Sequence, residues 1–184
     1  MLWNLPLLNP ALSFRAPKLP DPLPPPPPGT TRHLIGQVGR QIEVLSSVPQ
    51  QPRTTSDGKR IVFFFLHGGF GKAECWTHFL PALASRGYTS YALSLRGHGY
   101  SWKPSYWSML LTSRETLARE DVGAVYEWIL KHEAEDVELI LVGHSAGGGL
   151  AQSVTELGIV KPRKLIMIAA FPPSGGLPVR STTP

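Results

Sequence analysis

Ser145 is the side chain in this sequence best placed to do covalent chemistry. It lies at the centre of Gly143-His144-Ser145-Ala146-Gly147, a G-x-S-x-G pattern. In that pattern a serine stands on a very tight strand-to-helix turn, and the flanking glycines let strand and helix approach with no Cβ between them. The hydroxyl is then clear of the backbone, and the N–H of Ala146 lies beside it as a donor for an oxyanion. A second stretch, His67-Gly68-Gly69-Phe70-Gly71, could bring another donor, the N–H of Gly69 or of its neighbour Phe70. It lacks the Lys-Ser/Thr that would make it a phosphate loop. His98, within Arg96-Gly97-His98-Gly99, is a tempting base, but two glycines around it favour a loop-fixing histidine bonded to backbone. Asp121 could pass for a triad acid, and a helix-to-loop hydrogen bond is the better expectation. Cys75, the single cysteine, reads as a helix-flanking residue.

These residues need strands and helices in a particular order. Val137 to Val142 is an apolar, β-branched run that stops at Gly143, and helical spacing resumes with Leu150, Val154 and Leu157 up to Gly158. Ile61 to Leu66 is apolar throughout, as in a strand buried on both faces. Trp76, Phe79, Leu80, Leu83 and Ala84 follow at helical spacing and stop at Gly87, with Pro81 placing the helix start about a turn earlier. Tyr88 to Leu95 and Lys164 to Ala170 read as two further buried strands. Gln41 to Leu45 alternates and reads as a half-exposed antiparallel strand at one side of the sheet. Thr112-Ser113-Arg114-Glu115 reads as a capping box opening a helix whose inner face carries Leu117, Ala124, Val125, Trp128 and Ile129.

The tail, residues 1–32, holds ten of the nineteen prolines, ending in Pro24 to Pro28, and reads as disordered polyproline ahead of a domain over residues 33–184. Its start faintly suggests an organellar transit peptide, which the prolines at 6, 10 and 17 argue against. The proline run lacks the basic flank that would make it a convincing adaptor ligand.

The net charge of +5 belongs to the two ends: residues 60–160 carry eight Lys/Arg against ten acids. No basic stripe interleaved with aromatics is present, so nucleic acid is set aside as a partner. No apolar run reaches the ~20 residues of a membrane span. The single cysteine fits a reducing, cytoplasmic setting.

The motif order His67-Gly68, Arg96-Gly97-His98-Gly99-x-Ser101, Gly143-His144-Ser145-Ala146-Gly147, with strands and helices between, resembles the α/β-hydrolase superfamily, within it the lysophospholipase and esterase-like branch. The match runs from about Ile35 to Gly176. The resemblance implies an α/β fold with an open, mostly parallel sheet and helices on both faces. It implies a serine nucleophile at Ser145 and oxyanion donors at Ala146 and Gly69, with His67, Phe70, His98 and His144 in supporting positions. It further implies an acyl-ester substrate, no metal and no organic cofactor.

The sequence departs from the family after the sixth strand. The family's triad acid and histidine follow the later strands, yet the last acid here is Glu156 and the last histidine His144. The chain therefore reads as an α/β-hydrolase cut short, with Pro172 to Pro184 at most the start of a lid. A non-catalytic binding protein is the alternative, and an unfinished sheet would leave the sixth strand as an apolar edge open to self-association.

Overall fold

The computed structural model describes residues 18–133 and 137–172. Among these, six strands form one sheet in the order β1-β2-β4-β3-β5-β6. In chain order they are β1 (Thr31–Ile35), β2 (Ile42–Ser47), β3 (Arg60–Leu66), β4 (Thr89–Ser94), β5 (Val137–His144) and β6 (Lys164–Ile168). The last four run parallel, and β1 and β2 add an antiparallel border beside β4. The helices are α1 (Phe79–Ala84), α2 (Tyr106–Leu110), α3 (Arg114–Thr116), α4 (Ala124–His132) and α5 (Ala146–Glu156).

The continuous apolar run of β3 has its cause in two cores. Val62, Phe64 and Leu66 enter a core closed by α4 and α5, where Val125, Ile129, Leu150 and Val154 are buried. Phe65 enters the opposite core with Leu45, Trp76, Leu80 and Val142, closed by α1. Side chains alternate across the sheet, so a strand covered on both faces must be apolar at every position. Each large side chain buried in this way contributes about 1.5–3 kcal/mol.

Several elements differ from expectation. β2 is buried along its whole length rather than half exposed, because β1 covers its outer edge and Glu43 is sealed in by polar partners. Arg32 Nε donates to Glu43 Oε1 at 2.8 Å, Ser94 Oγ to Oε2 at 2.7 Å, and the Tyr100 N–H to Oε2 at 2.9 Å. Strand β1 takes in Thr31 and Arg32, which the sequence assigned to the tail, and the end of the polyproline stretch is anchored. Arg32 donates to the Pro24 carbonyl, and Ser47 Oγ donates to that of Gly29 at 2.8 Å.

The helix cap is Ser113, one residue later than read, accepting from the Thr116 N–H at 3.0 Å. Glu115 instead pairs with Arg119 one turn on. Between α3 and α4, Leu117–Gly123 forms a π-helical turn. Its extra residue per turn rotates the face, so Ala118, Asp121 and Val122 are buried while Ala124 is exposed. In α5 the inner face is Leu150, Ala151 and Val154, and Leu157 at the C-cap is 48% exposed.

Strand β6 is not buried: among the described residues it pairs with β5 alone, and Ile166, Met167 and Ile168 are 42%, 52% and 40% exposed. The possible lid falls outside the described residues from position 173 onward, as does the transit-peptide start at residues 1–17.

Candidate active site

Parallel pairing of β3 with β5 puts Leu66 opposite Gly143, so the loop after β3 and the turn after β5 emerge side by side at the carboxyl ends of the strands. In open α/β sheets, ligands bind at that end.

Ser145 occupies the turn with φ 53° and ψ −122°, a conformation that costs a non-glycine residue about 1–3 kcal/mol. The surroundings hold it there. Its N–H donates to the Ile168 carbonyl at 3.0 Å, and its own carbonyl accepts from Gly148 at 3.0 Å and Phe171 at 3.1 Å. The glycines are required by space. A Cβ at Gly143 would lie 2.6 Å from the Gly147 carbonyl oxygen. One at Gly147 would overlap the His67 carbonyl oxygen and sit 2.6 Å from that of Leu66. Gly148 extends the rule by one position, since a Cβ there would overlap the side chain of Ala170.

The β3 loop lies directly against this turn. A Cβ at Gly68 would stand 3.1 Å from Ser145 Cβ, and one at Gly69 3.9 Å from Ala146 Cβ. The backbone N–H groups of Gly69, Phe70 and Ala146 have no acceptor among the described residues. Two or three free donors thus border the same space as the Ser145 hydroxyl, an arrangement suited to a developing oxyanion. The Phe70 side chain is fully exposed.

The histidines divide sharply. His67 is buried, with Nε2 accepting from the Leu95 N–H at 3.0 Å and Nδ1 donating to the Gly68 carbonyl at 2.7 Å. Burial, with a smaller contribution from His98, pulls its pKa from the ordinary 6.5 to about 4, although the Gly68 carbonyl acts the other way. Both nitrogens are committed, so His67 ties β3 to β4 rather than serving as a base. His98 has Nδ1 3.0 Å from the Arg96 carbonyl and Nε2 2.9 Å from that of Gly69, the loop-fixing geometry its flanking glycines suggest. His144 is exposed beside Ser145, with its Nδ1 facing Gly68. No imidazole is hydrogen-bonded to the Ser145 hydroxyl among the described residues.

Asp121 is likewise committed. It accepts from the Arg96 N–H at 2.9 Å, from Nε at 2.8 Å and from a second guanidinium nitrogen at 2.6 Å, as a helix-to-loop clamp. Cys75 is exposed in the short 3₁₀ turn Ala73–Trp76 and borders the space in front of Ser145. No group of three or more metal-ligating side chains forms among the described residues, and no described helix is long and apolar enough to cross a membrane.

Sequence reasoning missed the Glu43 cluster, whose members come from four separate stretches of chain. It also missed Arg114 as the charged wall of a cavity. That cavity, about 560 Å³, is bordered by Gly69, Leu95, Leu117, Ala146, Leu150 and Phe171.

A mostly parallel sheet with helices on both faces and a strained serine at the end of its fifth strand defines an α/β-hydrolase fold. Residues 63–183 match the alpha/beta hydrolase family, and the chain belongs to that family. Among solved structures it is similar to a thioesterase domain from the curacin biosynthetic pathway, at 25% identity and TM-score 0.56, covering 74% of this chain and 43% of that one. It also resembles potato (Solanum tuberosum) epoxide hydrolase I, at 22% identity and TM-score 0.60, covering 75% and 39%. An epoxide hydrolase from Vigna radiata gives 22% identity and TM-score 0.59, covering 76% and 38%. The chain spans about two fifths of the length of these structures, and the likeness to the two epoxide hydrolases concerns the fold alone.

Proposed function

We propose that Ser145 is the nucleophile of a hydrolase acting on carboxylic esters or related acyl compounds. The observation that carries this is the strained turn itself: a non-glycine residue at φ 53°, held between glycines and facing unpaired N–H groups. In this reading Ser145 Oγ attacks the acyl carbonyl, and the oxygen that gains charge accepts from the Ala146 and Gly69 N–H groups, with Phe70 adjacent. The carbonyl re-forms as the bond to the leaving alcohol breaks, and water later releases the acid from the serine. Membership in the family and the named thioesterase neighbour support acyl chemistry; a serine rather than an aspartate in the turn argues against epoxide opening.

Among the described residues no imidazole is hydrogen-bonded to the Ser145 hydroxyl to take its proton. Ser145-dependent hydrolysis of 4-nitrophenyl butyrate is therefore expected to be slow, in the range left when a triad partner is removed, about 10³–10⁴-fold over water. It should rise steadily with pH, with no plateau near the usual imidazole range. Ser145→Ala should reduce it to the buffer rate; a rate unchanged in that variant would remove Ser145 from the reaction.

The exposed apolar residues of β6 favour a second reading, association of the chain with another copy or partner through that edge.

A further inference from the structure

The cavity beside Ala146 and Gly69 is lined by Leu95, Leu117, Leu150 and Phe171, and one permanently charged side chain, Arg114, stands among them. Arg114 is exposed, and the carboxylates nearest it in sequence are taken. Glu115 pairs with Arg119 at 2.9 Å, while Glu120 and Asp121 both pair with Arg96, at 2.8 and 2.6 Å. Among the described residues the Arg114 guanidinium has no hydrogen bond or ion pair. The surrounding chain supplies nothing to neutralise it. Between Glu74 and Glu115 the sequence has no acidic residue. His98, the other titratable group on the open wall, has both ring nitrogens at backbone carbonyls, and His67 is buried and neutral.

An unpaired guanidinium on the wall of an otherwise apolar cavity is a recognition element for an anion attached to an apolar body. Its planar fork matches a carboxylate, and a positive charge without a counter-ion attracts anionic ligands. We infer that this cavity selects amphiphiles with an apolar body of several carbons and a terminal anionic group, which Arg114 binds. If Ser145 is the nucleophile, the preferred substrate is an ester of a dicarboxylic or similarly anionic acid, with its ester end at Ser145 and its anionic end at Arg114. The substrate assignment rests on the serine reading; the binding does not.

The test is therefore a binding measurement that needs no turnover. Octanoate and octan-1-ol, each eight carbons long, are titrated by calorimetry at neutral pH into the full chain and into the Arg114→Gln and Arg86→Gln variants. Octanoate should bind more tightly than octanol by about fivefold, the scale of a charge-assisted contact partly open to solvent. Arg114→Gln should erase that difference and leave octanol binding unchanged. Arg86→Gln, which removes an equal charge that holds no carboxylate, should preserve it. Equal affinities, no binding of either probe, or equal losses in both variants would overturn the inference. Capture by phosphatidylserine vesicles without octanoate binding would assign the basic face to a membrane surface and overturn it too. Because hydrolysis does not enter, an inactive Ser145 leaves this result readable.

Discussion

At the end of β3, burial keeps the His67 imidazole neutral while its two nitrogens join Gly68 to Leu95. The proton balance makes this testable. The folded pKa, about 4, lies below the ordinary 6.5, so the unfolded chain binds the proton more readily. The stabilisation is complete above about pH 6.5 and is lost as pH falls toward 4, reaching about 2–3 kcal/mol. His67→Gln keeps an acceptor for the Leu95 N–H but cannot titrate. Urea unfolding from pH 7.5 to 4 should show the wild type losing stability faster than the variant; parallel curves would place the imidazole in water. Ser145 and its glycines could be read in the sequence because their spacing is local. The loop-fixing role of His98 and the helix-to-loop bond of Asp121 could also be read from their settings, but the commitments of His67 and Glu43 could not, because their partners come from distant stretches: Leu95 lies 28 residues beyond His67 and Ser101 58 beyond Glu43.

Periodicity carried the element scale well wherever each face of an element meets one environment. The apolar runs of β3 and β5 follow directly from their cores; of the stripe expected for α1, Leu80 is buried and Leu83 packs beside it, whereas Phe79 is half exposed and Trp76 sits in the preceding 3₁₀ turn. It failed where geometry changes the count: the π turn at Leu117–Gly123 adds a residue and moves Ala124 out to solvent. It failed again at β6, since an apolar run reads as buried whether or not anything covers it. The strand–turn–helix around Ser145 makes a sharp demand at Gly147, where a Cβ meets backbone carbonyls that cannot rotate away. Gly147→Val is expected to lower stability by about 3 kcal/mol or more, as overpacking against rigid backbone does. An unchanged thermal midpoint would mean that strand and helix part far enough to take the side chain.

Among the described residues, the sheet is bordered on one side by antiparallel strands, and on the other β6 pairs with β5 alone. Strand β1 and the anchored tail cover β2, whereas β6 shows Ile166, Met167 and Ile168 to solvent among the described residues. Apolar edges of this kind promote strand pairing between chains, and a charge on the edge opposes it. Ile166→Lys should therefore reduce any concentration-dependent association seen by sedimentation velocity. Equal association in wild type and variant would move the contact elsewhere. The family and the fold class were legible because three short motifs fall in one order along the chain. The substrate was not, because the cavity is assembled from β4, α5 and the helical run after Ser113.

On this reading the fold builds its strained turn around a nucleophilic serine. Peptide mapping by mass spectrometry after treatment with a fluorophosphonate reads this directly, since the reagent phosphonylates serines that an oxyanion site activates. The adduct should lie on Ser145, in the peptide containing Gly143 to Gly149, and vanish in Ser145→Ala. Modification of another residue, or labelling that persists in that variant, would contradict the assignment.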